Sequence, residues 1–122
     1  MKLIDMLQEV KQHPDYHKAG MILCHNGVVR ENTREGKSVT GLEVKVDRPV
    51  LEEIITRNKH LPGIIDILVH IEDNKPLGIG DDVMYIVVAG DIRENVIDAL
   101  TKTLNEIKSK ATSKTQFMAT GQ

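Results

Sequence analysis

The sequence of 122 residues contains no tryptophan and only three aromatic residues, Tyr16, Tyr85 and Phe117. A hydrophobic core must therefore be built from Val, Ile, Leu and Met side chains. The shortage argues against recognition of single-stranded nucleic acid, which depends on stacking bases against aromatic side chains. The net charge of −2 provides no general attraction to nucleic acid or acidic lipid. Any anion-binding site in this protein must therefore be local.

Cysteine is also scarce, and the single Cys24 excludes an internal disulfide and a cysteine zinc cluster. Because Cys24 follows the apolar run 21–23, we expect a small buried side chain rather than a reactive thiol. The N-terminal segment 1–5 does not have the pattern of a signal peptide. No apolar run approaches the roughly 20 residues that span a bilayer. The sequence predicts a cytoplasmic protein.

The five histidines do not form a metal-binding pattern. His13 and His17 are separated by a proline that interrupts a helix, and His60 and His70 fall on different predicted elements. No cysteine or acidic cluster completes a ligand set, so we expect neither a metal site nor a bound cofactor. His25 lies within an apolar strand and is expected to be a core histidine.

Hydrophobic periodicity predicts a single α+β domain over residues 1–122, with the order α-β-β-α-β-β-α. The expected architecture is a mainly antiparallel sheet with the helices packed on one face. The predicted helices cover 2–12, 47–61 and 93–110, and the predicted strands cover 20–30, 38–46, 64–72 and 83–89. A turn at Gly36 predicts that the first two strands pair. The segment Gly78-Ile79-Gly80 is predicted to be a hairpin turn. Residues 111–122 are predicted to be a polar, loosely ordered tail.

A cluster of positive charge follows the first strand. Arg30 ends that strand, and the charged loop after it contains Arg34 and Lys37. A guanidinium is always charged and presents a fixed fork of donors that suits phosphate or carboxylate. This arrangement predicts an anion-binding site.

The last helix carries two further cations near its apolar stripe. Arg93 falls within the stripe and Lys108 at its edge, whereas Lys102 points to the opposite side; the stripe consists of Ile92, Val96, Leu100, Leu104 and Ile107. A buried cation is costly unless it is paired or lines a cleft. The alternatives are an ion pair of Arg93 with Asp81, Asp82 or Asp91, and a solvent-exposed Lys108 whose stem covers apolar surface.

Four blocks of sequence together resemble the large, catalytic subunit of molybdopterin synthase, the MoaE family. The resemblance spans roughly residues 20–115, and the blocks are Gly27-Val28-Val29-Arg30 followed by Ser38-Val39, Ile67-Leu68-Val69-His70, Leu77-Gly78 with Gly80-Asp81-Asp82-Val83, and Ala89-Gly90-Asp91-Ile92-Arg93.

The resemblance implies a function. Members of this family convert cyclic pyranopterin monophosphate into molybdopterin, using sulfur from a thiocarboxylate at the Gly-Gly terminus of a ubiquitin-like carrier. They form homodimers, and heterotetramers with the carrier. By this resemblance Arg30 and Arg93 bind the substrate phosphate, with Arg34 and Lys37 nearby. Lys108 becomes the catalytic lysine and Lys114 a second one.

The sequence also departs from the family pattern. Ile92 stands where a histidine is usual, His25 stands where a phenylalanine is common, and no tryptophan precedes Lys114. An alternative is therefore a non-catalytic module of the same fold that binds a carrier tail or a small anion. A third possibility, based on element order alone, is a small-ligand regulatory domain of ferredoxin-like type.

Overall fold

The computed structural model describes residues 1–119 and has the α+β architecture expected from the sequence. Its elements are α1 Leu3–Lys11, β1 Met21–Val28, β2 Val39–Val46, α2 Arg48–Asn58, β3 Ile64–Ile71, β4 Leu77–Gly78, β5 Asp82–Gly90, α3 Arg93–Glu106 and β6 Thr112–Met118. A 3-10 turn, Tyr16–Lys18, follows α1, and a π-helical segment, Ile107–Ala111, continues α3.

The strands form two antiparallel three-stranded sheets, ordered β1-β5-β3 and β4-β2-β6. The predicted pairing of β1 with β2 is wrong, because β1 pairs with β5 from Met21↔Gly90 onward. Strand β5 is buried along most of its length, and the apolar strands β1 and β3 flank it. The ten residues between β1 and β2 allow the chain to cross to the second sheet.

The predicted hairpin at Gly78–Gly80 is also wrong. Strand β4 pairs with β2 at Gly41↔Gly78, so the chain leaves the first sheet after β3 and returns to it with β5. The contact depends on Gly41, because a Cβ atom there would overlap the carbonyl oxygen of Leu77. The two sheets are therefore linked by this short excursion.

Residues 112–118 are a strand rather than part of a loose tail. Strand β6 pairs with β2 from Val46↔Thr112 to Val39↔Met118. Its polar composition suits an edge strand, since one edge and part of its surface remain open to solvent. Residues 120–122, the end of the predicted tail, lie outside the described residues.

Helices cover both faces of the first sheet. On one face Ile86 and Val88 of β5 join the main core beneath α2 and α3. On the other face Val87 and Ala89 pack with Met6 and Val10 of α1 in a smaller core. The expectation that all helices share one face therefore fails for α1, because β5 is apolar on both sides and needs a cover on each.

Strand β1 lies at an edge of its sheet, which changes the environment of Cys24. The expected burial of Cys24 is wrong, since its side chain is exposed. It lies opposite Val87, on the face that α1 only partly covers. An apolar run at a sheet edge thus does not guarantee that every residue in it is buried.

Candidate active site

A cavity of about 450 Å³ opens between the end of β1, the loop 29–38, the π-helical segment and β6. Four cations line it: Arg30, Arg34, Lys108 and Lys114. The remaining lining residues are Val28, Asn32, Thr33, Glu35, Val39, Leu42 and Gln116. The fold therefore brings together cations that lie up to 84 positions apart in the chain, Arg30 and Lys114.

Arg30 is placed by the buried residue before it. Val29 is 2% exposed, and its N–H donates to the carbonyl of Asp81 at 2.9 Å while its carbonyl accepts from Gly80 at 2.8 Å. The Nε of Arg30 donates to the carbonyl of Asn32 at 2.9 Å, which leaves the terminal nitrogens of the guanidinium available. One edge of the side chain is thus fixed, and the other is free to bind an anion.

Arg34 lies in a tight turn that the chain closes on itself. The N–H of Thr33 donates to the carbonyl of Lys37 at 2.8 Å, and the Lys37 N–H donates to Thr33 Oγ1 at 3.1 Å. Thr33 is 7% exposed and anchors this turn. Gly36 allows the turn because its φ of 86° is one that other residues rarely adopt. Lys37 is exposed and is not among the residues that line the cavity.

Lys108 reaches the cavity from the π-helical segment. Ile107 and Ala111 are 0% and 1% exposed, and they fix this segment to the core. The Thr112 hydroxyl donates to the carbonyl of Ile107 at 3.2 Å, and the Asp47 N–H donates to the carbonyl of Ala111 at 2.7 Å. Short π-helical insertions occur frequently at functional sites. Here the segment presents Lys108 to the cavity.

Lys114 reaches the same cavity because β6 is paired in register with β2. Lys114 lies opposite Val44, and Gln116 lies opposite Leu42. Cross-strand partners share one face of a sheet, and Val44 and Leu42 face the core. Lys114 therefore projects to the cavity side.

The site carries a local excess of positive charge. Within residues 1–119, no carboxylate lies within 4.0 Å of the charged nitrogens of Arg30, Arg34, Lys108 or Lys114, as the ion pairs of this part of the chain involve other cations. Glu35 lines the cavity without forming such a pair. Four neighbouring cations raise the local concentration of anions. The chemistry of the cavity thus favours phosphate or carboxylate.

A second cavity of about 350 Å³ adjoins the first and shares Arg34, Lys108 and Lys114 with it. Its wall is more apolar and consists of Val28, Leu42, Val44, Val83 and Met84, with Gly27, His25 and Thr112. We refer to the first cavity as the cationic half and to the second as the apolar half.

His25 lies in the wall of the apolar half rather than in the core. Its side chain is half-buried, so the expectation of a core histidine is wrong. Burial lowers the pKa of its imidazole below the ordinary value, and the positive charge of Lys108 lowers this pKa further. The lowered pKa therefore makes the neutral imidazole the predominant form of His25 at neutral pH. In the sequence, the one feature that pointed to this position of His25 was a histidine where the family commonly has phenylalanine.

Arg93 lies outside both cavities. Its side chain is 79% exposed and its Nε lies 3.4 Å from Glu94 Oε1, so it neither occupies a buried stripe nor pairs with Asp81, Asp82 or Asp91. The helix begins at Arg93, and Ile92 before it is 53% exposed, because the first turn of α3 extends beyond the core. The buried stripe consists of Val96, Ala99, Thr103 and Ile107.

In residues 1–119, no group of three or more His, Cys, Asp or Glu residues is arranged to hold a metal ion. None of the helices described there combines the length and apolar character needed to cross a membrane.

Comparison with known proteins gives a consistent result. Residues 2–110 match the family model described as MoaE protein. A molybdopterin synthase structure from Staphylococcus aureus superposes with a TM-score of 0.79 at 21% identity, covering 99% of this chain and 88% of that one. Molybdopterin cofactor biosynthesis protein E from Burkholderia multivorans gives 0.75 at 20% identity, with coverage of 99% and 88%.

A third similar structure is a complex. It contains subunits 1 and 2 of the molybdopterin-converting factor from Helicobacter pylori, with a TM-score of 0.70 at 16% identity and coverage of 100% and 86%. At these identities the superpositions establish the fold. No curated protein sequence matches this chain significantly.

Proposed function

Because this chain belongs to the MoaE protein family and so has a role in molybdenum cofactor biosynthesis, we propose that it is a catalytically competent large subunit of molybdopterin synthase. It would convert cyclic pyranopterin monophosphate to molybdopterin with sulfur from a thiocarboxylated carrier. The observation that carries this proposal is the convergence of Arg30, Arg34, Lys108 and Lys114 on one cavity.

The two arginines suit the phosphate of the substrate. Asn32 fixes one edge of the Arg30 guanidinium, and a closed turn holds the backbone that carries Arg34, so both side chains border the cationic half. Guanidinium forks bind phosphate with paired, charge-assisted hydrogen bonds. Lys37 lies in the same loop and adds to the attraction of an anion towards this edge of the cavity.

The two lysines suit the sulfur-transfer step. The carrier's thiocarboxylate is an anion, and Lys108 and Lys114 border both halves of the cavity. Their ammonium groups would stabilise charge that develops at the reacting carbonyl, and they would supply or accept protons at the substrate. Lys108 is the main candidate because the π-helical segment that carries it is anchored on both sides.

The expected macromolecular partners follow from the same proposal. A small-subunit partner is supported by the structural similarity to the Helicobacter pylori complex. We expect this partner to be a ubiquitin-like carrier whose Gly-Gly terminus enters the cavity, in a heterotetramer built on a homodimer of this chain. We place the reaction in the cytoplasm.

Arg93 constrains that assembly. Lys108 lies fifteen positions after Arg93 along a continuous helical segment, which corresponds to roughly 20 Å along the axis. If Arg93 binds the phosphate held near Lys108, it must do so from a second protomer. The homodimer and the role of Arg93 are therefore coupled proposals.

The first test is reconstitution of the reaction. The purified protein is mixed with thiocarboxylated carrier and cyclic pyranopterin monophosphate, and molybdopterin is measured. Wild type should form product. Lys108→Ala should lower the rate at least about a hundredfold, which is typical for loss of a proton-transfer or charge-stabilising group. The matched control is Lys102→Ala, an exposed lysine outside both cavities.

Three outcomes distinguish a catalytic role of Lys108 from the alternatives. Product from wild type together with loss in Lys108→Ala supports the assigned role. Product from both proteins removes Lys108 from the catalytic step. Carrier binding by wild type without product would support the non-catalytic alternative.

A further inference from the structure

The apolar half of the cavity contains a polar side chain that the proposed function leaves unused. His25 reaches it from β1, where it lies opposite Ile86 on the face that looks towards α3. Among residues 1–119, no side-chain or backbone group forms a hydrogen bond with its ring nitrogens. The ring is thus placed in the cavity wall with its hydrogen-bonding capacity free.

The backbone beside His25 is shaped to receive the ring. A Cβ atom at Gly27 would lie 3.2 Å from His25 Nε2. The imidazole therefore leans along the strand over Gly27, and it occupies the space that a side chain at that position would need. The absence of a side chain at Gly27 allows this orientation of the ring.

The neighbouring groups determine what His25 adds chemically. The charged groups that share the apolar half are Arg34 from the loop, Lys108 from the π-helical segment and Lys114 from β6, while Arg30 and Glu35 lie in the cationic half. The three cations are donors only, and the Thr112 hydroxyl proton is used by the Ile107 carbonyl. A neutral imidazole offers one donor and one acceptor. It supplies an acceptor that the cations cannot provide.

We propose that His25 determines specificity by hydrogen-bonding, in its neutral form, the edge of the flat heterocycle of the substrate within the apolar half. This proposal rests on the proposed function. The phosphate occupies the cationic half. The faces of the heterocycle contact Leu42, Val44 and Met84. The polar edge of the ring then meets His25, which distinguishes a pterin phosphate from a simple anion.

The proposal has a pH dependence with a definite sign. The pKa of His25 lies below its ordinary value because of burial and the charge of Lys108. The neutral, ring-binding form is fully present above that pKa and is lost as the pH falls through it. Protonation also adds a positive charge to the cavity, so it does not weaken the binding of a plain anion. A cyclic phosphate is a diester, which does not titrate in this range.

The experiment compares two ligands on wild type, His25→Phe and His25→Gln. The ligands are cyclic pyranopterin monophosphate and sulfate, which keeps its charge across the range, and the dissociation constants are measured by calorimetry at several pH values. His25→Phe should weaken pterin phosphate about tenfold and leave sulfate binding unchanged. His25→Gln, which keeps a neutral donor and acceptor, should stay within about threefold of wild type and lose the acid-side decline in affinity.

Controls separate a folding defect from a loss of contact. His60→Gln changes an exposed histidine outside both cavities and should reproduce the wild-type pH profile. Circular dichroism and urea unfolding check that both His25 variants are folded. Sulfate binding provides a further check, because a collapsed cavity would lose it.

The binding results test the assignment of His25 separately from the proposed function. If wild type binds pterin phosphate and His25→Phe binds it equally well, the assignment of His25 is overturned while the proposed function stands. If His25→Phe loses sulfate as well, His25 supports the cavity rather than the ring, and the assignment is again overturned. If wild type binds sulfate but no pterin phosphate, the proposed function fails and the assignment of His25 fails with it.

Discussion

A single lysine shows how strand pairing determines the position of a charge. Lys114 lies in a polar stretch that the sequence presents as a loose tail, but β6 orders it. Its register with Val44 turns the side chain to the cavity. Lys45, on the neighbouring strand and paired with Ser113, lies on the opposite face of the same sheet. The two lysines are close in the sheet, but Lys114 faces the cavity and Lys45 faces away from it.

This contrast predicts different effects of two similar substitutions. Lys114→Ala should lower the rate of molybdopterin formation at least about tenfold, because it removes a cation that borders both halves of the cavity. Lys45→Ala should leave the rate within about twofold, since exposed lysines outside a site contribute little. Steady-state rates in the reconstituted assay provide the measurement. Equal losses in the two variants would remove Lys114 from the site.

At the scale of elements, α2 and α3 are joined by a buried polar contact just before the π-helical segment. Asn58 is 0% exposed, and its Nδ2 donates to Thr103 Oγ1 at 3.0 Å and to Glu106 Oε1 at 2.9 Å. Arg57 also donates to Glu106. Burial raises the pKa of Glu106, but the hydrogen bonds from Asn58 and Arg57 lower it more, so its net pKa is lowered. Glu106 ends α3, so this contact anchors the base of the segment that carries Lys108.

Removing the contact should destabilise the fold. Asn58→Ala leaves the Thr103 hydroxyl without its donor and opens a small void, which should cost about 2–3 kcal/mol of unfolding free energy. Asn105→Ala changes an exposed residue of α3, the helix that carries Thr103, and should stay within about 0.5 kcal/mol. Urea unfolding followed by circular dichroism gives both values. A change below about 1 kcal/mol in Asn58→Ala would mean that the contact contributes little.

For the whole molecule, the position of Arg93 determines how it could bind the substrate phosphate. Arg93 lies at the start of α3 and Lys108 lies in the π-helical segment that continues it, so the two residues of one protomer are far apart. In a two-fold symmetric dimer, an interface residue of one chain can complete the site of the other.

Mixing two inactive variants tests this arrangement. If Arg93 acts across the dimer, Arg93→Ala and Lys108→Ala should each be strongly impaired alone. After mixing and subunit exchange, they should recover about a quarter of wild-type activity, because half of the dimers are mixed and each has one intact site. Size-exclusion chromatography verifies the dimer. Recovery is absent if Arg93 acts within its own chain, and an active Arg93→Ala would exclude a role in phosphate binding.

Much of the local structure follows from the sequence. The predicted helix 47–61 begins with Asp47, a residue that caps helices, and has Pro49 in its first turn, and in the structure Asp47 Oδ1 accepts from the Val50 N–H at 3.2 Å. Capping and periodicity act over a few residues, so they can be read directly from the chain. The placement of Arg30 at a strand end beside a charged loop can likewise be predicted from neighbouring residues in the chain.

Local patterns in the sequence predict the types of α1, α2, α3, β1, β2, β3 and β5, the α+β class, the lack of an aromatic platform and the local cluster of cations. The folded arrangement was needed to show that β1 pairs with β5, that β6 is a strand, that Cys24 is exposed, and that His25 and Lys114 face the cavity while Arg93 does not. The difference arises from the distance along the chain over which each interaction acts. Helix capping and side-chain alternation depend on neighbours in the chain, whereas the face that a residue presents to a cavity depends on pairing partners far away in sequence.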